Sequence, residues 1–196
     1  MSPRRSTLAG RSTSPRAASR WATPNGATWT ELRDMRRQVS LYLPEPARAT
    51  IDAVRQRVDP IQYGLIPAHI TLCRDDDVTD WAVVERRLAE LGRVAVTLEF
   101  GPTRAFDGGG LLLPVITATM EFDDLRARLL AGAGQLPRPL APHITLRHPR
   151  NVARLTTPID HDDAGFSYPA PIHFTQASLI EQADGDPWRV IAVYPG

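Results

Sequence analysis

The chain has 196 residues, 42% of them hydrophobic and 23% charged, and a formal net charge of +1. That is enough apolar material for one globular domain or two small fused lobes, and the near-neutral balance excludes a bulk polyanion binder. The single cysteine, Cys73, excludes an internal disulfide and a multi-cysteine zinc site and points to the reducing cytoplasm, and no apolar run approaches the ~20 residues needed to cross a bilayer.

All 23 basic residues are arginine, which leaves arginine as the permanent cation for any phosphate. Five of these lie in the first thirty residues, amid Ser, Thr, Pro, Ala and Gly and without one acid. Such a segment can be an RNA-touching arm or a transit peptide, but it holds too little apolar surface to order itself. Residues 1–37 are expected to form a disordered extension. The domain is then 38–196, with two pseudo-symmetric lobes at about 38–108 and 109–196.

"QVSLYL" (38–43) predicts a strand, and 45–58 a helix with Ala47, Ile51, Val54 and Val58 on one face. "AHITLC" (68–73) is a second strand. Residues 79–92 carry Trp81, Val84, Leu88 and Leu91 at helical spacing and stop at Gly92, a C-terminal cap. Strands follow at 94–100 and, after "FDGGG", at 111–117. A helix over 121–134 presents Phe122, Leu125 and Leu129, and "PHITLR" (142–147) repeats the earlier strand. Residues 148–171 have no clear periodicity and read as a long loop. Strands at 173–181 and 188–194 form a hairpin around an Asp-Gly turn. The order is an imperfect duplication of a β-α-β unit, which suits an α+β fold better than a doubly wound sheet.

The duplication is sharpest in "LIPAHITL" and "PLAPHITL", which place His-Ile-Thr-Leu at 69–72 and again at 143–146. Side chains alternate along a strand. His69, Thr71 and Cys73 therefore share one face, as do His143, Thr145 and Arg147, while Ile70, Leu72, Ile144 and Leu146 face a core. If the two units pack about a pseudo-twofold axis, a cleft collects two imidazoles, two hydroxyls and a guanidinium.

That set suits in-line displacement at phosphorus. An imidazole has an ordinary pKa of ~6.5, so one ring can start as base and the other as acid. A threonine hydroxyl can hold a non-bridging oxygen, and the Arg147 fork fits a phosphate. No metal or other cofactor is called for.

Two H-x-T-x motifs on matching strands resemble the 2H phosphoesterase superfamily, which includes bacterial 2'-5' RNA ligases and cyclic phosphodiesterases. The resemblance covers about residues 38–196. It implies a bilobal α+β fold of duplicated β-α-β units, with antiparallel sheets around a central cleft. It also implies metal-independent action on cyclic phosphates or 2'-5' linkages of RNA ends or nucleotides. Carried over by position, His69 and His143 are the acid–base pair and Thr71 and Thr145 bind phosphate, with Arg147 added from the strand alternation as a substrate contact. His69 is then the ring that protonates O3' while His143 activates water, which yields a 2'-phosphate. Two departures stand out: where some relatives place a basic residue five positions after the second histidine this chain has His148, and 148–171 lacks an evident helix.

Other readings use the same residues. An RNA-end or nucleotide-binding module would bind without turnover, and a zinc hydrolase could draw on His143, His148, His161 and nearby acids such as those of "DHDD" (160–163). His148, His161 and His173 are expected to be structural or solvated, Cys73 a small strand residue rather than a nucleophile, and "FDGGG" a turn. Tyr42, Tyr63, Phe106 and Trp188 are the aromatics that could stack a base. Neither an obligate protein partner nor an oligomer is implied.

Overall fold

A computed structural model of the protein describes residues 35–134, 138–156, 159, 163 and 165–195. The expected extension lies, through residue 34, outside these, as do Asp160, His161 and Asp162 of the "DHDD" run. Strand β1 (Met35–Tyr42) begins ahead of the expected boundary at Gln38. Helix α1 (Ala47–Val58) buries Ala47, Ile51, Val54 and Val58, the stripe its spacing predicts. A second helix, α2 (Pro60–Leu65), was not anticipated; its buried Asp59 caps the Gln62 N–H at 2.9 Å, and Pro60 sits in the first turn, where a missing N–H costs nothing.

Strand β2 (His69–Arg74) carries the first motif. Helix α3 (Trp81–Ala89) is capped by Asp80, which accepts from Ala82 N at 3.0 Å, and turns its Val84 and Leu88 inward. Gly92, at φ 68°, then takes the left-handed turn a side chain would resist. Strands β3 (Val96–Leu98), β4 (Arg104–Phe106) and β5 (Gly110–Pro114) follow, with "FDGGG" as the β4–β5 hairpin turn. Helix α4 (Met120–Leu130) buries Phe122, Leu125 and Leu129, and β6 (His143–Arg147) carries the second motif. The expected loop after it opens with a 3-10 turn over Pro149–Arg154. Strands β7 (Ile172–Phe174), β8 (Gln176–Ala183) and β9 (Arg189–Pro195) complete the fold; the expected 173–181 strand is two strands, and β8 and β9 make the expected hairpin.

The strands form antiparallel sheets in the orders β2-β1-β8-β9, β4-β5-β6 and β3-β7. They do not divide at 108/109. The C-terminal hairpin joins the sheet of the first motif through β1–β8 pairing, and that boundary would cut the β4–β5 hairpin. Helices α3 and α4 pack on each other, and β2 lies alongside β6. The core is continuous: Val39, Leu41, Ile51, Ile70, Leu72, Val84, Phe122, Leu129, Ile144 and Leu146 are all essentially inaccessible. Each such side chain contributes about 1.5–3 kcal/mol of burial.

The duplication reaches the backbone. Tyr42 pairs with His69 and Pro114 with His143, and just beyond each pair Leu43 N donates to Ala68 O (3.2 Å) and Val115 N to Pro142 O (3.3 Å). Both motif strands also slip register at the same place. Ser40 faces Thr71 but Val39 faces Cys73, and Leu112 faces Thr145 but Leu111 faces Arg147, so Leu72 and Leu146 are extra residues in twin bulges.

Candidate active site

Where the two motif strands meet, a cleft of about 270 Å³ is lined by His69, Thr71, His143 and Thr145 together. The two rings are anchored alike: His69 Nδ1 lies 2.8 Å from Pro67 O and His143 Nδ1 2.9 Å from Ala141 O. A carbonyl only accepts, so both Nδ1 atoms carry the proton and Nε2 is left in each ring to give or take one. An aromatic ring stands beside each histidine, Tyr42 edge-on to His69 at 6.1 Å and Phe106 tilted against His143 at 6.3 Å.

The environments of the two halves then diverge. Burial lowers the His69 pKa to about 4, opposed by its bond to Pro67 and assisted by the nearby Arg55 and His143. Arg55 is a cleft-lining residue that sequence reasoning missed, since it follows Val54 on a helix read for its apolar stripe. It is buried: Nη2 donates to Ile66 O at 2.8 Å, Nη1 pairs with Asp52, and Nε has no hydrogen-bond partner among the described residues. Asp52 also accepts from Ala68 N at 3.0 Å, so α1 fixes the segment that delivers His69. Thr71 Oγ1 accepts from Gln38 Nε2 at 3.1 Å, which frees the hydroxyl proton for a ligand oxygen. Leu112 stands opposite Thr145, where Ser40 stands opposite Thr71.

Geometry of this kind can serve proton transfer at a phosphate, and its ancestry is legible in the sequence. Residues 43–186 match the family model of the 2'-5' RNA ligase superfamily. This chain belongs to that superfamily. Structures of E. coli LigT share its fold: the apo form is 18% identical, with 82% of this chain and 96% of that one covered at a TM-score of 0.52. The NADP+ complex of LigT is 16% identical, with 82% and 97% covered, at a TM-score of 0.53. The ATP complex is 18% identical, with 82% and 97% covered, at 0.51. No curated protein sequence matches the chain. The α+β architecture with several antiparallel sheets is thus that of a 2H phosphoesterase.

Within this 2'-5' RNA ligase superfamily member, strict alternation fails after the bulges. Arg147, expected on the polar face, is buried and does not line the cleft, with Nη2 3.5 Å from Val152 O and Nε unpartnered among the described residues. Cys73, expected beside His69, is inaccessible, and burial pushes its thiol up to about 12. The following residues, Arg74 and His148, line the cleft instead. His148, expected to be structural or solvated, is thereby a site neighbour. Its backbone N–H donates to the buried Asp59 carboxylate at 2.8 Å, and its Nδ1 accepts from Arg150 N at 3.1 Å. The neutral ring is therefore the opposite tautomer, with Nε2–H as donor. Burial and then Arg150 lower its pKa, which favours that neutral form.

Asp59 also accepts from Asn151 Nδ2 at 3.0 Å and so ties α2 to the loop after the second motif. Of the remaining expectations, His173 bonds Thr97 Oγ1 at 2.9 Å outside the cleft, and His161 falls outside the described residues. Asp163 pairs with Arg57 at 2.6 Å. Trp188 lines the cleft, whereas Tyr63 does not. Among the described residues no group of three or more His, Cys, Asp or Glu is placed to hold a metal, and no helix is long and apolar enough to cross a membrane.

Proposed function

We propose that the chain is a metal-independent phosphodiesterase that opens 2',3'-cyclic phosphates of RNA ends or nucleotides to 2'-phosphates and, with a 5'-hydroxyl in place of water, joins ends through a 2'-5' linkage. The observation that carries this reading is the pair of imidazoles anchored through Nδ1 in one cleft, each two residues from a threonine. Two groups that exchange protons at Nε2 suffice for an in-line displacement. One takes the proton of the attacking oxygen, the other returns one to the oxygen that leaves. Thr71, with its hydroxyl proton free, and Thr145 hold the non-bridging oxygens, and the neutral His148 offers a further donor.

In this reading His69 faces O3' and His143 faces water or the 5'-oxygen. Burial keeps His69 neutral, the state in which it takes the O3' proton when a 2'-5' linkage is cleaved. In ring opening it gives that proton back, and the phosphate anion in the cleft offsets the desolvation that otherwise discharges the ring. The protein would act in the cytoplasm, as a monomer and without a cofactor. The test is turnover on a panel of 2',3'-cyclic nucleotides and cyclic-phosphate RNA, with and without EDTA. Turnover insensitive to EDTA and giving 2'-phosphates is expected. Predominant 3'-phosphates would refute the assignment of the two histidines, activity lost on chelation and restored by zinc would establish a metal hydrolase, and binding without turnover an RNA-end module.

A further inference from the structure

The tetrad occupies one part of the cleft, and the remainder has a different chemistry. Arg36 on β1, Arg150 after the second motif and Trp188 just before β9 also line it. Arg36, Gln38, Arg74 and Trp188 are shared with an adjoining cavity of about 370 Å³, so the two spaces are continuous. The tetrad cleft alone is at the small end for a ligand site, which begins near ~300 Å³. The annex more than doubles it.

Two of the arginines along this part of the cleft differ from their neighbours in how they are paired. Arg37 is paired with Glu85 at 2.9 Å and Glu181 at 3.3 Å, and Arg74 with Asp76 at 3.4 Å. Among the described residues, Arg36 and Arg150 have no carboxylate partner. Arg36 reaches only Gln182 Oε1, at 3.4 Å, and lies over the Trp188 ring at 5.5 Å. Both side chains are exposed at the rim of the cleft, close enough that partial burial and then the charge of Arg36 lower the pKa of Arg150. Asp75 and Asp76 close the far side of the annex, but the Arg37 N–H, Arg74 and Arg138 already satisfy them. A phosphate at the rim would meet both guanidiniums, and the half-buried indole offers a face for a base.

We propose that Arg36, Arg150 and Trp188 form a subsite for a second phosphate and its base, so that the ligand is the end of an oligonucleotide rather than a mononucleotide. The inference rests on the phosphodiesterase reading only for the position of the reacting phosphate. It is tested with the full chain by calorimetric binding of 2'-AMP, of the dinucleotide ApA bearing a terminal 2'-phosphate, and of ADP-ribose 2''-phosphate, whose second anionic group is a pyrophosphate. The dinucleotide is expected to bind at least about 10-fold tighter than 2'-AMP, with a log Kd against log salt slope steeper by about 0.7 for the added phosphate contact. R36Q/R150Q should bring the two affinities to within about 3-fold, and W188A should cost the dinucleotide about 10-fold. Equal affinities in the native chain, or a preference untouched in R36Q/R150Q, would overturn the subsite; tightest binding of the pyrophosphate would overturn the oligonucleotide. If R36Q/R150Q does not fold, R150Q and the salt slope of the native chain carry the same decision. Absence of turnover with the binding preference intact would sink the phosphodiesterase reading and leave the subsite standing, whereas turnover without preference would do the reverse.

Discussion

The two motif strands are alike in backbone and unlike in what surrounds them. Each histidine donates Nδ1–H to the carbonyl two residues earlier, each strand bulges at the leucine three residues later, and each pairs with a strand that ends beside the histidine. Around that frame the halves part. Thr71 is backed by Gln38 and Ser40, and Thr145 is faced by Leu112; the bulge hides Cys73 in one copy and Arg147 in the other; Arg74 follows the first and His148 the second. The lesson is that duplication supplied the paired-histidine frame, while the flanks supply the asymmetry. A symmetric frame alone could not choose between O2' and O3'.

The largest test of this comparison is removal of either ring. Alanine at His69 or at His143 should lower turnover by about 100-fold or more with melting temperature retained, since in the proposed reaction each supplies a proton transfer the other cannot. His173→Ala, which alters an exposed bond to Thr97, should change turnover less than 2-fold, on the order of assay error. A near-native rate for folded His143→Ala would break the equivalence of the halves.

The next test sharpens the difference between the rings. His69 is held neutral by burial, with a pKa near 4. A depressed histidine gains its proton only as the pH falls through the lowered value, so the acidic limb of kcat/KM, which reports the free protein, should lie near 4 and belong to the coupled pair. Activity at pH 5 should therefore stay within about 2-fold of the plateau. An ordinary imidazole would cost roughly 30-fold there. An acidic limb at ~6.5 would show that the first ring is as solvated as an unburied one.

How much of this was legible without coordinates depends on the range of the interaction. The stripe Ile51, Val54 and Val58 and the tetrad are local: helical period and strand alternation position them, so the residues could be named from spacing. The twin bulges are a backbone event that shows only in pairing, and an extrapolated alternation placed Cys73 and Arg147 on the wrong side. The Asp59-Pro60 pair was a readable start signal for α2, but six residues are too few to show a helical period. Pairing of β8 with β1 joins Leu179 to Val39 across most of the domain, and no local pattern specifies it. Arg36 and Trp188 reach the cleft through that same pairing.

His148 sharpens the comparison where the flanks differ. It occupies the cleft position that Arg74 holds in the first half, and Asp59 and Arg150 fix its backbone and ring. Loss of one neutral donor to a phosphate oxygen is worth about 1 kcal/mol or a little more. His148→Ala should therefore raise KM and lower kcat/KM by about 10-fold while leaving the acidic limb in place. A shift of that limb would make His148 a proton-transfer group instead.

The smallest expected effect tests the bulge itself. Had alternation run unbroken through Leu146, Arg147 would face the phosphate, and its removal would cost as much as that of any charged donor. With the extra residue inserted, Arg147 is buried with a long bond to Val152 and, among the described residues, no partner for Nε. A buried guanidinium so poorly satisfied returns little for its desolvation, and an apolar replacement of similar length can be neutral or stabilising. Arg147→Met should accordingly leave kcat/KM within about 2-fold and hold or raise the melting temperature. The comparison with His148→Ala is the decisive one, because the two residues are adjacent and only the second lines the cleft. A rise in KM for Arg147→Met with His148→Ala silent would mean that the second strand runs without its bulge, and that the two halves are less alike than their pairing registers declare.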